Sequence, residues 1–249
     1  MSRSHRVGLI VPSSNTTMET EIPALLQRRT AQAPEHFTFH SSRMRMKSVT
    51  REELAAMDNE SDRCALELSD ARCDVLAYAC LVAIMASGPR YHLKSEERLA
   101  NVARGNQGPA PVVTSAGALV RGIQALGARK VALIAPYMKP LTKLVCDYLE
   151  ECGIEVVDSL SLEVPDNVAV GRLDPTHLIG HAARLQTSGA DAIVLSACVQ
   201  MQSLAAIQPV EDKLGRPVLS SAIATTWEIL KRLELDARID GAGALLAGK

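Results

Sequence analysis

Two cysteines stand in matching settings and are the residues of this chain best placed to do chemistry. Cys80 closes the run Asp74-Val-Leu-Ala-Tyr-Ala-Cys80, and Cys198 closes Asp191-Ala-Ile-Val-Leu-Ser-Ala-Cys198. Both runs are short and apolar, start on an acid and end in Ala-Cys. Such a run reads as a buried parallel strand, covered by helices on both faces. Each strand then carries one thiol to its carboxyl end, where open α/β sheets bind ligands. A thiol there serves as nucleophile, base or acid toward a small molecule held between the pair. One free cysteine alone would read as core filler. The duplication singles these two out.

The residues that follow the thiols matter next. Leu81 and Val82, and likewise Val199 and Gln200, offer backbone N–H groups at a loop or helix start. Such groups bind carboxylates and lower the pKa of a neighbouring thiol. None of the six histidines is close in sequence to either cysteine. His177 and His181 lie one helical turn apart but lack the Glu of H-E-x-x-H, so they read as surface residues. The cysteines form no C-x-x-C pair and no zinc grouping. Gly241-Ala-Gly-Ala-Leu-Leu-Ala-Gly248 does not sit at the first strand-to-helix turn of a βαβ unit, so it is no nucleotide loop. No metal and no cofactor is expected. Two thiols between two anion-binding turns suggest a small dicarboxylate or an amino acid.

These residues need elements to position them, and the chain repeats one grammar twice. Val7-Gly-Leu-Ile-Val-Pro12 is matched by Val131-Ala-Leu-Ile-Ala-Pro136, with Tyr137 in the place of Ser13. Pro111-Val-Val-Thr-Ser-Ala is matched by Pro217-Val-Leu-Ser-Ser-Ala. Thr16 or Thr17 suits the N-cap of a helix from Met18, which leaves Asn15 in a strand-exit loop, as turn residue or as ligand. His36-Phe-Thr-Phe-His40 alternates as a strand, and Arg43, Arg45 and Lys47 after it read as a solvated basic edge. Surface helices are expected over 51–72 and 91–104, with a loop between Cys80 and Pro89. Strand 154–164 ends at Pro165-Asp-Asn167, and helices follow over 175–188, up to 214, and over 222–233.

The expected fold is therefore α/β: two similar halves, each a parallel four-stranded sheet, related by a pseudo-twofold axis. The N-terminal half covers 1–115, completed by 220–249, and the C-terminal half covers 116–219. The site is expected in the cleft between them. Of the 249 residues, 47% are hydrophobic, ample for a core, and the net charge of −1 predicts neither nucleic-acid nor membrane binding. The apolar stretch 75–87 falls short of the roughly 20 residues that span a bilayer. The N-terminal apolar run is too short for a secretory signal. A cytoplasmic setting with free thiols follows.

Taken together, Val-Pro-Ser-Ser-Asn15-Thr-Thr-Met-Glu-Thr-Glu, Tyr78-Ala-Cys80-Leu-Val-Ala, Ala135-Pro-Tyr137, Pro165-Asp-Asn167 and Ser196-Ala-Cys198-Val-Gln-Met-Gln form a specific set. The chain resembles, over essentially its whole length, the maleate cis–trans isomerases of the aspartate/glutamate racemase superfamily. The resemblance implies cofactor-independent conversion of maleate to fumarate through a succinyl-cysteine, in bacterial nicotinate degradation. It implies Cys80 as nucleophile and Cys198 as its proton-handling partner. It also implies Asn15, Tyr137 and Asn167 as carboxylate-binding side chains, assisted by the backbone after each cysteine. A nucleophile must be a thiolate while its partner holds a proton, so the two pKa values are expected to be pushed apart. The expected partners are the dicarboxylate and further copies of the chain, in a homodimer or larger homo-oligomer. A two-cysteine racemase of a small acid and a non-catalytic dicarboxylate-binding protein are the alternatives. Superfamily racemases follow their cysteines with Asn-Thr and Thr-His; here Val82 gives an ammonium no partner.

Overall fold

In the computed structural model, which describes residues 4–248, two four-stranded parallel sheets carry ten helices among the described residues. The elements run β1 Ser4–Pro12, α1 Met18–Thr30, β2 His36–Met44, α2 Arg51–Asp70, β3 Val75–Tyr78, α3 Leu81–Ala86, α4 Tyr91–Gly105, β4 Val112–Thr114 and α5 Ser115–Ala125. They continue with β5 Lys130–Ala135, α6 Lys139–Glu151, β6 Glu155–Ser161, α7 Asn167–Val170, α8 His177–Ala182, β7 Ala192–Ser196, α9 Leu204–Leu214, β8 Val218–Ser220 and α10 Ser221–Arg232. A short 3₁₀ turn, Ala244–Leu246, follows. Residues 1–3 and 249, included in the expected bounds of the N-terminal half, lie outside the described residues. No described helix is long and apolar enough to cross a membrane.

The strand orders are β2-β1-β3-β4 and β6-β5-β7-β8, the same path walked twice. The two cysteine-bearing strands, β3 and β7, are buried at every residue, as a strand covered on both faces must be. Their acidic starts have a shared purpose. Asp74 Oδ2 accepts the N–H of Arg6 at 2.7 Å, and Asp191 Oδ2 accepts those of Arg129 and Lys130 at 2.8 and 2.9 Å. Each acid thus fixes the first residues of the neighbouring strand and with them the register that carries both strand exits. The duplicated Thr/Ser-Ser steps are also explained. Thr114 Oγ1 accepts from Gly117 N and Ser220 Oγ from Ile223 N, capping α5 and α10.

Helix α10 packs against α5, α1, β3 and β4. It also packs against β8 of the second sheet.

Two expectations are corrected. The segment 175–188 is helical only over α8, because turns at both ends break it before and after His177–Ala182. The stretch after Cys80 is not a loop but the helix α3. Helix α2 is the amphipathic surface helix expected, and on its buried face Asp58 accepts the hydroxyls of Tyr78 at 2.9 Å and Tyr91 at 2.7 Å.

Candidate active site

Strand β3 ends two residues before Cys80, and β7 two residues before Cys198. Both thiols open into one narrow cavity. Its walls include Asn15, Leu81, Val82, Tyr137, Asn167, Val199 and Gln200, together with Pro12, Met46 and Val49. A wider groove beside β6 contains Cys146 but neither of these thiols. No lysine, arginine, carboxylate or imidazole lines the thiol cavity. An ammonium group would find no charged partner there, whereas a carboxylate would meet neutral N–H and O–H donors. Among the described residues no group of three or more His, Cys, Asp or Glu is placed to hold a metal ion, the His177–His181 pair included.

Cys80 sits at φ +97°, ψ +71° as the N-cap of α3, a left-handed conformation that a side-chain-bearing residue adopts at a cost. This turn bends the chain so that the thiol and the N–H groups of Leu81 and Val82, orphans of the first helical turn, face the same space. Burial pushes the Cys80 thiol up to about 12, and the neighbouring Cys198 and Asp58 add to that, opposed by the backbone N–H of Ala83. Burial also raises Cys198, but the Tyr137 hydroxyl and the N–H groups of Gln200 and Met201 point at its sulfur and favour its anion. The donors that stabilise a sulfur anion are thus gathered on Cys198, while the N–H of Ala83 serves Cys80. Burial holds the Tyr137 hydroxyl well above the usual phenol range, so it stays a donor.

The turn around Cys198 is pinned from below. Ser196 Oγ donates to the carbonyls of Cys198 and Met201 at 2.8 and 3.0 Å, and Ser221 Oγ donates to the carbonyl of Ser196 at 3.2 Å.

Asn15 combines both roles open to it in the sequence. Its Oδ1 accepts the N–H groups of Thr17 and Met18, each at 2.9 Å, so Asn15 and not the Thr17 side chain caps α1. That fixes the amide and leaves its Nδ2 side for the cavity. Asn167, the first residue of α7, donates Nδ2 to Ser14 Oγ at 2.8 Å. Arg43 is exposed on the edge strand β2, as expected, but its guanidinium is also engaged. It ion-pairs with Glu19 and donates to the carbonyls of Ser13 at 3.1 Å and Asn15 at 2.5 Å, holding the Asn15 loop. Met46 and Val49, missed in the sequence, enter the wall because the segment after β2 folds over the strand ends. In the sequence they stand among Arg45, Lys47 and Ser48, and no pattern marks them.

Two α/β halves, each delivering a cysteine to one enclosed cavity of neutral donors, define a two-thiol enzyme of the racemase-like fold. Residues 7–246 match the arylmalonate decarboxylase family profile. The chain is 65% identical to a maleate isomerase of Geobacillus stearothermophilus over the full length of both. It superposes with a TM-score of 0.98 on a cysteine-to-alanine variant of the Pseudomonas putida maleate isomerase with maleate, at 60% identity, covering 99% of this chain and 98% of that one. For a cysteine-to-serine variant of the Nocardia farcinica maleate cis–trans isomerase, carrying a covalently bound succinylcysteine intermediate, the TM-score is 0.95 at 46% identity, with 99% of each chain covered. With this agreement, the chain belongs to the arylmalonate decarboxylase family and, within it, to the maleate isomerases.

Proposed function

We propose that this protein isomerises maleate to fumarate through a succinyl thioether on Cys80. The observation that carries the reading is the meeting of Cys80 and Cys198 in one enclosed cavity whose other polar groups are neutral donors. A carbon–carbon double bond does not rotate at ordinary temperature, so it must first become a single bond. The Cys80 sulfur adds to C2 of maleate while its proton passes to Cys198, the sulfur whose anion is better supported. The π pair moves to C3 and its carboxylate, where Asn15, Tyr137, Asn167 and the N–H groups of Leu81, Val82, Val199 and Gln200 bear the charge. Cys198 returns the proton to C3. After rotation about C2–C3, Cys198 removes a C3 proton, the double bond re-forms and the C2–S bond breaks. Cys80 then recovers its proton from Cys198.

The packing of α10 on β3 and β4 supports a functional unit of two halves, 1–115 completed by 220–249, and 116–219. Six free cysteines support a cytoplasmic setting. The partly exposed edge strands β2 and β6, with exposed Leu66, Leu93 and Met138, support a homodimer or larger homo-oligomer. The resemblance supports a place in bacterial nicotinate degradation.

Incubation with maleate, followed by proton NMR, should show fumarate; no fumarate from folded protein would overturn the reading. Cys80→Ala should abolish turnover and any covalent adduct. Cys198→Ser should turn over far more slowly yet accumulate a succinyl adduct, which peptide mapping should place on Cys80. An adduct on Cys198 that still forms in Cys80→Ala would reverse the two roles.

A further inference from the structure

Gln200 lines the thiol cavity, and its side-chain amide is committed to neighbouring segments. It fills the junction where the two carboxylate-facing segments meet. Its Oε1 accepts the N–H of Thr16 at 2.8 Å. Its Nε2 donates to the carbonyl of Asn167 at 2.7 Å and to that of Ser14 at 3.2 Å. Its own carbonyl accepts the Thr17 hydroxyl at 2.8 Å. One buried amide therefore binds both neighbours of Asn15 and the backbone of Asn167, while its backbone N–H reaches the Cys198 sulfur. Asn15 comes from the first sheet, and Asn167 and Cys198 come from the second.

A second observation points to the same amide. Gly171 closes α7 with ordinary helical φ, so its backbone makes no demand for glycine. A Cβ built there would lie 2.6 Å from Thr16 Oγ1 and 2.7 Å from Gln200 Nε2. The missing side chain is the space that the Gln200 amide and Thr16 occupy.

We propose that Gln200 is a positioning residue that sets the spacing of Asn15 and Asn167, the two amides that grip the substrate carboxylates, and aligns that grip with Cys198. This rests on the carboxylate-binding reading of Asn15 and Asn167 given above. Maleate, with its double bond intact, presents its two carboxylates at a fixed cis separation, so two amides on separate sheets hold it for attack at C2 only if a rigid tie sets their spacing. A shift of about 1 Å at such a site can lower the rate by about a hundred-fold.

The test compares three variants of the full-length enzyme, each assayed well below its melting temperature. Gln200→Met keeps the length of the side chain but none of its hydrogen bonds. It should raise KM for maleate and lower kcat/KM by about ten-fold or more, the size expected for a misplaced hydrogen bond to a charged group. Gly171→Ala should give the same pattern with Gln200 still present, and it carries the test if Gln200→Met does not fold. Glu21→Ala serves as the control for instability alone. Glu21 also ties the halves together, by accepting the N–H groups of Ser203 and Leu204 at 2.6 and 2.7 Å, but it does not line the cavity. It should lower Tm and leave KM unchanged. In an Asn167→Ala background, Gln200→Met should cost much less than it does alone, because it acts through that amide. Wild-type KM in both Gln200→Met and Gly171→Ala, or full additivity with Asn167→Ala, would overturn the proposal. If Asn15→Asp and Asn167→Ala themselves keep the wild-type KM, the carboxylate reading beneath it fails instead.

Discussion

Asn15 accepts the N–H groups of Thr17 and Met18 on one side of its amide and turns the other side to the cavity. The two duties can be separated by substitution. Aspartate keeps an acceptor for both N–H groups and adds a charge that suits the first turn of α1. It also removes the Nδ2 donor and sets an anion against an anionic substrate. Asn15→Asp should therefore keep the thermal stability of the parent while losing at least about 1.5–3 kcal/mol of transition-state binding, a ten-fold or greater fall in kcat/KM. Asn15→Ala should lose both, with about 0.5–2 kcal/mol of stability gone with the cap. Thermal melts beside steady-state kinetics decide it. Full activity in Asn15→Asp would leave Asn15 as a turn residue only.

At the scale of elements, the N-terminus of α9 is closed by a carboxylate from the other half. Glu21 Oε1 takes the N–H groups of Ser203 and Leu204, and Ser203 Oγ donates to Oε2 at 3.2 Å. Burial raises the Glu21 pKa, against the pull of those donors and of Arg28. A carboxyl whose folded pKa lies above its unfolded value of about 4.3 binds its proton more tightly when folded. Its stabilising contribution is complete below that value and is lost as pH rises through the folded pKa. Glutamine fits the same contacts, since its Oε1 accepts both backbone donors and its Nε2 can donate to Ser203 Oγ. Glu21→Gln should flatten the fall in stability on the alkaline side of pH 4.3, as read by urea denaturation across pH, with kinetics intact. An unchanged pH profile would show that Glu21 carries none of that slope.

The whole molecule is two sheets locked by more than the site. Arg121 on α5 bonds to Glu96 on α4 and Glu228 on α10, and the N–H of His92 on α4 donates to the Tyr148 hydroxyl on α6 at 3.2 Å. Trp227, the single tryptophan of the chain, lies on α10 and packs partly buried against the common core. Its helix packs against α1 and α5, so its emission reports the surroundings of α10, whereas far-UV circular dichroism reports both sheets. The two signals should give one coincident unfolding transition. With Cys80→Ala, which holds maleate without turnover, ligand at a hundred times Kd should raise stability by about 2.7 kcal/mol in both signals. A tryptophan transition that precedes the circular dichroism change would mean that α10 comes away before the sheets unfold.

The sequence by itself determined the doubled α/β plan, the parallel strands and the two cysteines, because these follow from local apolar runs, proline stops and their repetition. It also placed Asn15, Tyr137 and Asn167 at strand exits, since a strand end is legible from its neighbours. Tertiary structure alone decided what those exits do to one another. The amide of Gln200 reaches Thr16 across 184 positions of sequence, and the Arg43 side chain reaches from β2 to the Asn15 loop. The same holds for the sulfur anion. Which cysteine is better supported depends on the donors around each thiol and on how far it is withdrawn from water. Hydrogen bonds and desolvation act through space over a few ångströms, and only the packed fold sets those distances.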